Sequence, residues 1–408
     1  MPSVNPNILR WARETAGLSL EDAAAKLNIG EARGVSGQDR LAEYEAGERE
    51  PSRPLLVRMA KQYRRPLLAF YMSEAPRRAE RGEDFRTLPD EHSAAQDALV
   101  DTLIRDVRAR QQIVRAALEE EDAVRLPFVA SMTMRQGAHA VLQSIQRTLG
   151  LDLDQYRGGR GSNSRSSSGF AYLREQAEKA GIYVLLIGNL GSHHTSLDVE
   201  MFRGFALADQ IAPFIVINDQ DANTAWAFTL LHELCHIWLG ATGISGATAG
   251  TPVEHFCNDV AGRFLLPASE LVGLNDLRGA NFDAIVARIN EFAEQRHISR
   301  SMVAYKLLRE EIIERELWSR LTAFFRSQWR GGREAQRERN RDREGGPNYY
   351  VVKRHRLGGA LVSFARRMLA DGTMSPSKAG KVLGVKASNV YGIVSTDVGS
   401  AQFKSAQG

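Results

Sequence analysis

The 408-residue chain has only two cysteines, Cys235 and Cys257. Both lie in apolar helical patterns, which argues against a disulfide framework and for reduced thiols. No run approaches the roughly 18 consecutive apolar residues that a membrane-spanning helix needs. The opening residues, MPSVNPNILRWARE, lack the basic-then-apolar order of a signal peptide. A cytoplasmic protein with no membrane partner is therefore expected. A strong excess of one charge is also missing: 53 Lys and Arg against 49 Asp and Glu give a net charge of +4 and a pI near 9.0. That balance permits an acidic partner such as nucleic acid without demanding one. What is present, 43% hydrophobic residues over this length, suffices for two or three domains, each with its own core.

Composition shifts suggest the organisation. Short helical patterns occupy residues 1–75, and longer ones with Leu, Val and Ile at helical spacing make a helical linker over 76–150. The stretch RGGRGSNSRSSSG, Arg157 to Gly169, has the composition of a solvated surface loop. Beyond it, GIYVLLIG (181–188), MFRGFALAD (201–209) and PFIVIN (213–218) read as three short strands of a small mixed sheet. Helical patterns return after Pro267 and complete a domain over 151–315. The alternating charges of RGGREAQRERNRDREGG, Arg330 to Gly346, predict a charged, solvated tether over 316–346, followed by a helical region over 347–408. The fold class is thus mainly α with a small mixed β-sheet, an α+β chain.

Chemistry concentrates in FTLLHELCHIWLG, Phe228 to Gly240. Residues four apart share a helix face, so His232 and His236 can present two imidazoles to one ion while Glu233 reaches a water beside it. Zn2+ suits this arrangement, because it lowers the pKa of a water in its open position and an adjacent carboxylate can take the proton. Asn218, Asp219 or Asp221 is available to cap this helix, and Gly240 to stop it. The following amphipathic stretch VEHFCNDVAGRFLLP, Val253 to Pro267, can supply a third ligand. Glu254, Cys257 and Asn258 are spaced to share a face, and the residues alone leave the choice among them open. His255, next to Glu254, points a quarter turn away, and Cys235 also points away from the histidine face. His193 and His194 read as solvated loop residues.

These two stretches together resemble the ImmA/IrrE family of zinc metallo-endopeptidases, in which an HExxH helix is followed by a helix opening E-x-x-x-N-x-x-A-x-x-x-L-x-P. The resemblance implies a zincin-like peptidase domain, His232, His236 and Glu254 as zinc ligands, and Glu233 as catalytic base. Asn258 would then stand behind the ligands, and Cys257 would pack as a small apolar residue.

At the N-terminus, ILRWARETAGLSLEDAAAKLNI resembles the Cro/repressor-like, XRE-type helix-turn-helix proteins, with Ser19 capping a second helix. The resemblance implies binding to duplex DNA, with Ser36, Gln38, Asp39 and Arg40 reaching base edges. Arg10, Arg13, Arg40, Arg49 and Arg53 would meet phosphates. The turn GEARGVSGQD is longer than usual for such a head. A helix-turn-helix kept for docking or dimerisation, and with it a homodimer, is the other use of this domain. In the tail, TMSPSKAGKVLGVKASNVYGI, Thr373 to Ile393, has the outline of a second helix-turn-helix with Lys378, Lys381 and Lys386 nearby. The combination implies an endopeptidase that cleaves a specific partner protein, a transcriptional repressor or regulatory partner. The alternative is an antitoxin-like DNA-binding regulator that sequesters a toxin, its zinc site structural or vestigial.

Overall fold

A computed structural model describes the chain except residues 1–2, 77–93, 159–164, 192–194, 242, 246–250, 342–347 and 396–408. His193 and His194 therefore lie outside the described residues. The chain divides into two compact units, residues 1–107 with 189–197, and residues 108–188 with 198–408.

The first unit packs α1 (Pro6–Glu14), α2 (Leu20–Lys26), α3 (Gly37–Ala46) and α4 (Arg53–Gln62) around Ile8, Leu9, Leu27, Leu41, Leu56 and Met59. Ser19 caps α2 and Ser36 caps α3, each accepting a hydrogen bond from the backbone three residues on. The long turn between these helices is a miniature hairpin. Ala32 bridges Val35, and the two central residues, Arg33 and Gly34, both take positive φ, at 55° and 74°. The extra length is thereby folded back on itself, and α3 follows directly. Its first residue has to be glycine, since a Cβ on Gly37 would lie 2.0 Å from the Ile29 carbonyl oxygen. Helix α5 (Ala94–Glu120) runs across the division between the units.

The second unit continues with α6 (Ala138–Leu149), α7 (Leu153–Arg157) and α8 (Arg165–Lys179). Part of the Gly/Ser stretch expected as a loop is thus the first turn of α8; of the remainder, 159–164 fall outside the described residues. Serine and arginine tolerate a helix once the following Phe170, Leu173 and Ala177 bury a face. The three expected strands form as β1 (Tyr183–Leu186), β2 (Gly204–Leu207) and β3 (Phe214–Ile217). Helix α9 (Asn223–Leu239) leads to β4 (Gly243–Ser245), which the sequence reading missed because its residues carry no strand signal. The sheet order is β1-β3-β2-β4, with β1 parallel to β3 and the other pairs antiparallel. Every residue of β1, β2 and β3 is buried, so both faces of the sheet are covered.

Next come α10 (Pro252–Leu265), α11 (Ala268–Leu271), α12 (Phe282–Arg296) and α13 (Arg300–Arg309). Residues 316–341 of the expected tether instead belong to α14 (Arg315–Arg341), because opposite charges at helical spacing and the lack of proline there favour a helix over coil; 342–346 lie outside the described residues. The tail forms α15 (Tyr349–Leu357), α16 (Gly359–Ala370), α17 (Pro376–Leu383) and the short α18 (Val390–Val394). It is held to α8 by the buried Arg174 and the half-buried Glu178. Arg174 donates to the carbonyls of His355 at 2.6 Å and Arg356 at 3.3 Å, and also to that of Val184, a strand residue of β1. Glu178 accepts from the amides of Gly359 at 2.9 Å and Ala360 at 3.1 Å, capping α16. Among the described residues no helix is long and apolar enough to cross a membrane.

Candidate metal centre

Helix α9 is buried over nearly its whole length between the sheet and helices α6, α8 and α10. Its cap differs from expectation. Ala222 occupies the N-cap position and makes no side-chain cap bond, because the three polar candidates are engaged in the preceding turn. Asn218 donates to the Phe202 carbonyl at 3.1 Å, Asp219 pairs with Arg356 at 2.7 Å, and Asp221 accepts from the Ala222 amide at 2.8 Å. Gly240 ends the helix with a φ of 69°.

Within α9, His232, Glu233 and His236 are all buried, and Glu254 reaches them from the first turn of α10. His232 Nε2 lies 3.2 Å from Glu254 Oε2, His236 Nε2 lies 3.1 Å from Glu254 Oε1, and the two Nε2 atoms are 3.1 Å apart. His232 Nδ1 is 2.9 Å from Asn258 Oδ1, one turn further along α10. If that nitrogen donates to the amide oxygen, the neutral ring turns the lone pair of Nε2 towards the carboxylate and the second imidazole. Three electron-rich groups then face one point in a dry interior, an arrangement that a cation relieves. The spacing also suits zinc, whose tetrahedral bonds of about 2.0–2.1 Å separate neighbouring ligand atoms by about 3.3–3.4 Å, with each imidazole facing a different oxygen of Glu254.

Cys257 is also near, with Sγ within 4.8 Å of the donor atoms of both histidines. Burial, then contact with Cys235, pushes the Cys257 thiol well above its ordinary range. His255, by contrast, is exposed.

In the helix-turn-helix unit, the residues singled out for DNA are divided by their partners. Arg13 is buried, donating through Nε and Nη2 to Glu45 at 2.7 and 2.9 Å, and through Nη1 to the Leu18 carbonyl at 2.8 Å. It ties α1 to α3 and is not placed to meet phosphate. Ser36 and Asp39 bond each other across the first turn of α3, Arg40 donates to the Gly30 carbonyl at 2.6 Å, and Arg49 pairs with Glu43 at 3.2 Å. Gln38, Asp39, Arg49, Arg53 and Arg10 are exposed.

One residue of the centre escaped the sequence reading. Gly204 of β2 lies beneath Glu233, and its only signal was a glycine inside a strand pattern, which marks close approach of another group.

Two family models match the chain: a peptidase M78 model, described as an IrrE N-terminal-like domain, over residues 177–308, and a helix-turn-helix model over residues 9–70. Comparisons with curated proteins and with solved structures give no significant match. The first model spans all four strands and both helices that carry the buried histidines and Glu254. The chain is thus a fusion of an N-terminal XRE-type helix-turn-helix domain with an IrrE N-terminal-like metallopeptidase domain of the ImmA/IrrE kind.

Proposed function

We propose that the protein is a zinc-dependent endopeptidase that cleaves a specific partner protein, a transcriptional repressor or regulatory partner, and that its head directs it to duplex DNA. The observation that carries this reading is the convergence of His232, His236 and Glu254, the two Nε2 atoms 3.1 Å apart and each 3.1–3.2 Å from one carboxylate oxygen of Glu254, with Glu233 on the helix of the histidines. Those three residues hold the zinc. Bound there, zinc lowers the pKa of a water towards about 7 and polarises the scissile carbonyl. Glu233 takes the proton from the attacking water and returns it to the leaving amine as the carbon–nitrogen bond breaks. Asn258 fixes the ring of His232, and Cys257 packs as an apolar neighbour. In the head, Gln38 and Asp39 are exposed at the start of α3 to meet base edges, with Ser36 and Arg40 beside them. Arg10, Arg49 and Arg53 supply phosphate contacts. We place the activity in the cytoplasm, in keeping with two free cysteines.

The test is a substrate trap. Glu233→Gln protein, loaded with zinc and used as bait, should retain a partner that the wild-type protein releases in two fragments. Addition of a chelator, or a further His232→Ala change, should abolish the difference. An unchanged partner recovered intact with both wild-type and Glu233→Gln baits would refute cleavage.

A further inference from the structure

Gly204 opens the inner strand β2, opposite Ile217 of β3 and Ser245 of β4, and is buried. A Cβ at this position would lie 2.6 Å from Thr229 Cγ2, 2.9 Å from Glu233 Oε1 and 3.0 Å from the Val216 carbonyl oxygen. The contacts to Thr229 and Glu233 are shorter than a β-carbon tolerates and the one to Val216 is tight, so something must move. The Val216 oxygen belongs to the β3 backbone and is fixed by the ladder. Thr229 sits one helical turn before Glu233 on α9, and its branched side chain has little rotamer freedom in a helix. The Glu233 carboxylate, at the end of three rotatable bonds, is the part that gives way most cheaply.

From this geometry we propose that Gly204 is a positioning residue for the general base: its bare α-carbon is the seat on which the Glu233 carboxylate rests. The inference deepens the peptidase reading and rests on Glu233 acting on a water or acid at the metal. The seat belongs to β2, whereas the two histidines belong to α9. Helix α9 carries the base as well as the histidines, and the sheet adds a contact at the carboxylate end of Glu233. A side chain at residue 204 displaces the base while leaving the ligand triangle intact, since none of His232, His236 and Glu254 is among the three nearest atoms.

Acetohydroxamate bound to cobalt-substituted protein provides the test, because it binds the metal as an anion and gives its proton to a neighbouring carboxylate. The proteins to compare are wild type, Glu233→Gln, Gly204→Ala and Gly204→Ala/Thr229→Ser. The double variant removes the Thr229 methyl and so separates the effect on Glu233 from a push on the whole helix. Gly204→Ala/Thr229→Ser should keep cobalt affinity within about two-fold and a near-normal melting temperature. Its acetohydroxamate affinity should nevertheless fall about ten-fold or more, towards that of Glu233→Gln, as a sub-ångström misplacement of a catalytic group predicts. Wild-type acetohydroxamate affinity in both Gly204 variants overturns the proposal. Equal loss of cobalt and acetohydroxamate affinity overturns it too, since the change would then act through the ligands. If Glu233→Gln itself binds acetohydroxamate like wild type, it is the role of Glu233 that fails.

Discussion

The assignment of the third ligand makes the sharpest quantitative demand on this site. Glu254 and Cys257 are three residues apart on α10 and both approach the histidines, but the carboxylate oxygens stand 3.1–3.2 Å from the two Nε2 atoms, whereas the thiol is only within 4.8 Å of the imidazole donors. A closed four-ligand zinc site is worth about 10–16 kcal/mol at neutral pH, so one ligand contributes about 3–4 kcal/mol, or about 10²–10³ in affinity. Glu254→Ala should weaken zinc binding by that factor, measured by competition with a chromophoric chelator at pH 7. Glu254→Gln, which keeps the volume of this buried side chain, should do nearly as much. Cys257→Ser should change the affinity by less than about three-fold, because it removes a neighbour and not a ligand. The cobalt protein should lack the intense near-ultraviolet charge-transfer band of a thiolate ligand. If Cys257→Ser weakens binding as much as Glu254→Ala and abolishes such a band, the carboxylate assignment is wrong. The structural-zinc, antitoxin-like reading would then replace the peptidase.

Three further outcomes follow from other contacts. By metal analysis, His232→Ala should lose zinc and Glu233→Gln should retain it, while Asn258→Ala, which frees the His232 ring, should lower zinc affinity about 10- to 100-fold; full zinc in the His232 variant would return the histidines to the core. The full-length protein should shift duplex DNA from its own promoter, with affinity falling steeply between about 50 and 200 mM salt; Arg40→Ala should weaken the shift, Arg13→Ala should chiefly lower the melting temperature, and a salt-insensitive result would leave the head as a docking module. At the tail, Gly358 has a φ of 81° and an added Cβ would lie 2.1 Å from Glu178 Oε1. Gly358→Ala should therefore destabilise the α15–α16 junction by more than about 1 kcal/mol and speed proteolysis beyond residue 346. Gly359→Ala, whose Cβ would lie 3.1 Å from Glu178 Oε2, should do far less; equal protease resistance of all three proteins would show that the clamp does not hold the tail.

Local pattern was enough to determine a good part of this protein. Four-residue spacing put His232 and His236 on one helix face, short β-branched runs bounded by turn residues marked β1 and β3, and a glycine marked the end of α9, all through backbone geometry that needs no distant partner. Charge composition misled where it stood in for structure. The arginine-rich run beyond Arg330 reads as coil by its polarity, yet opposite charges at helical spacing let it continue α14. Arg13 could not be told from a phosphate-binding arginine until α3 brought Glu45 against it. The cap of α9 went to Ala222 because Asn218, Asp219 and Asp221 were claimed by partners just before β2, on α15 and in the turn itself. Which of Glu254 and Cys257 stands nearer the two imidazoles depended on how α10 packs across α9, and the close approach of Gly204 to Glu233 on the meeting of a helix with a strand some thirty residues earlier. Such decisions belong to tertiary structure because a side chain's partner is set by which elements pack together, and spacing along one element carries no record of its neighbour.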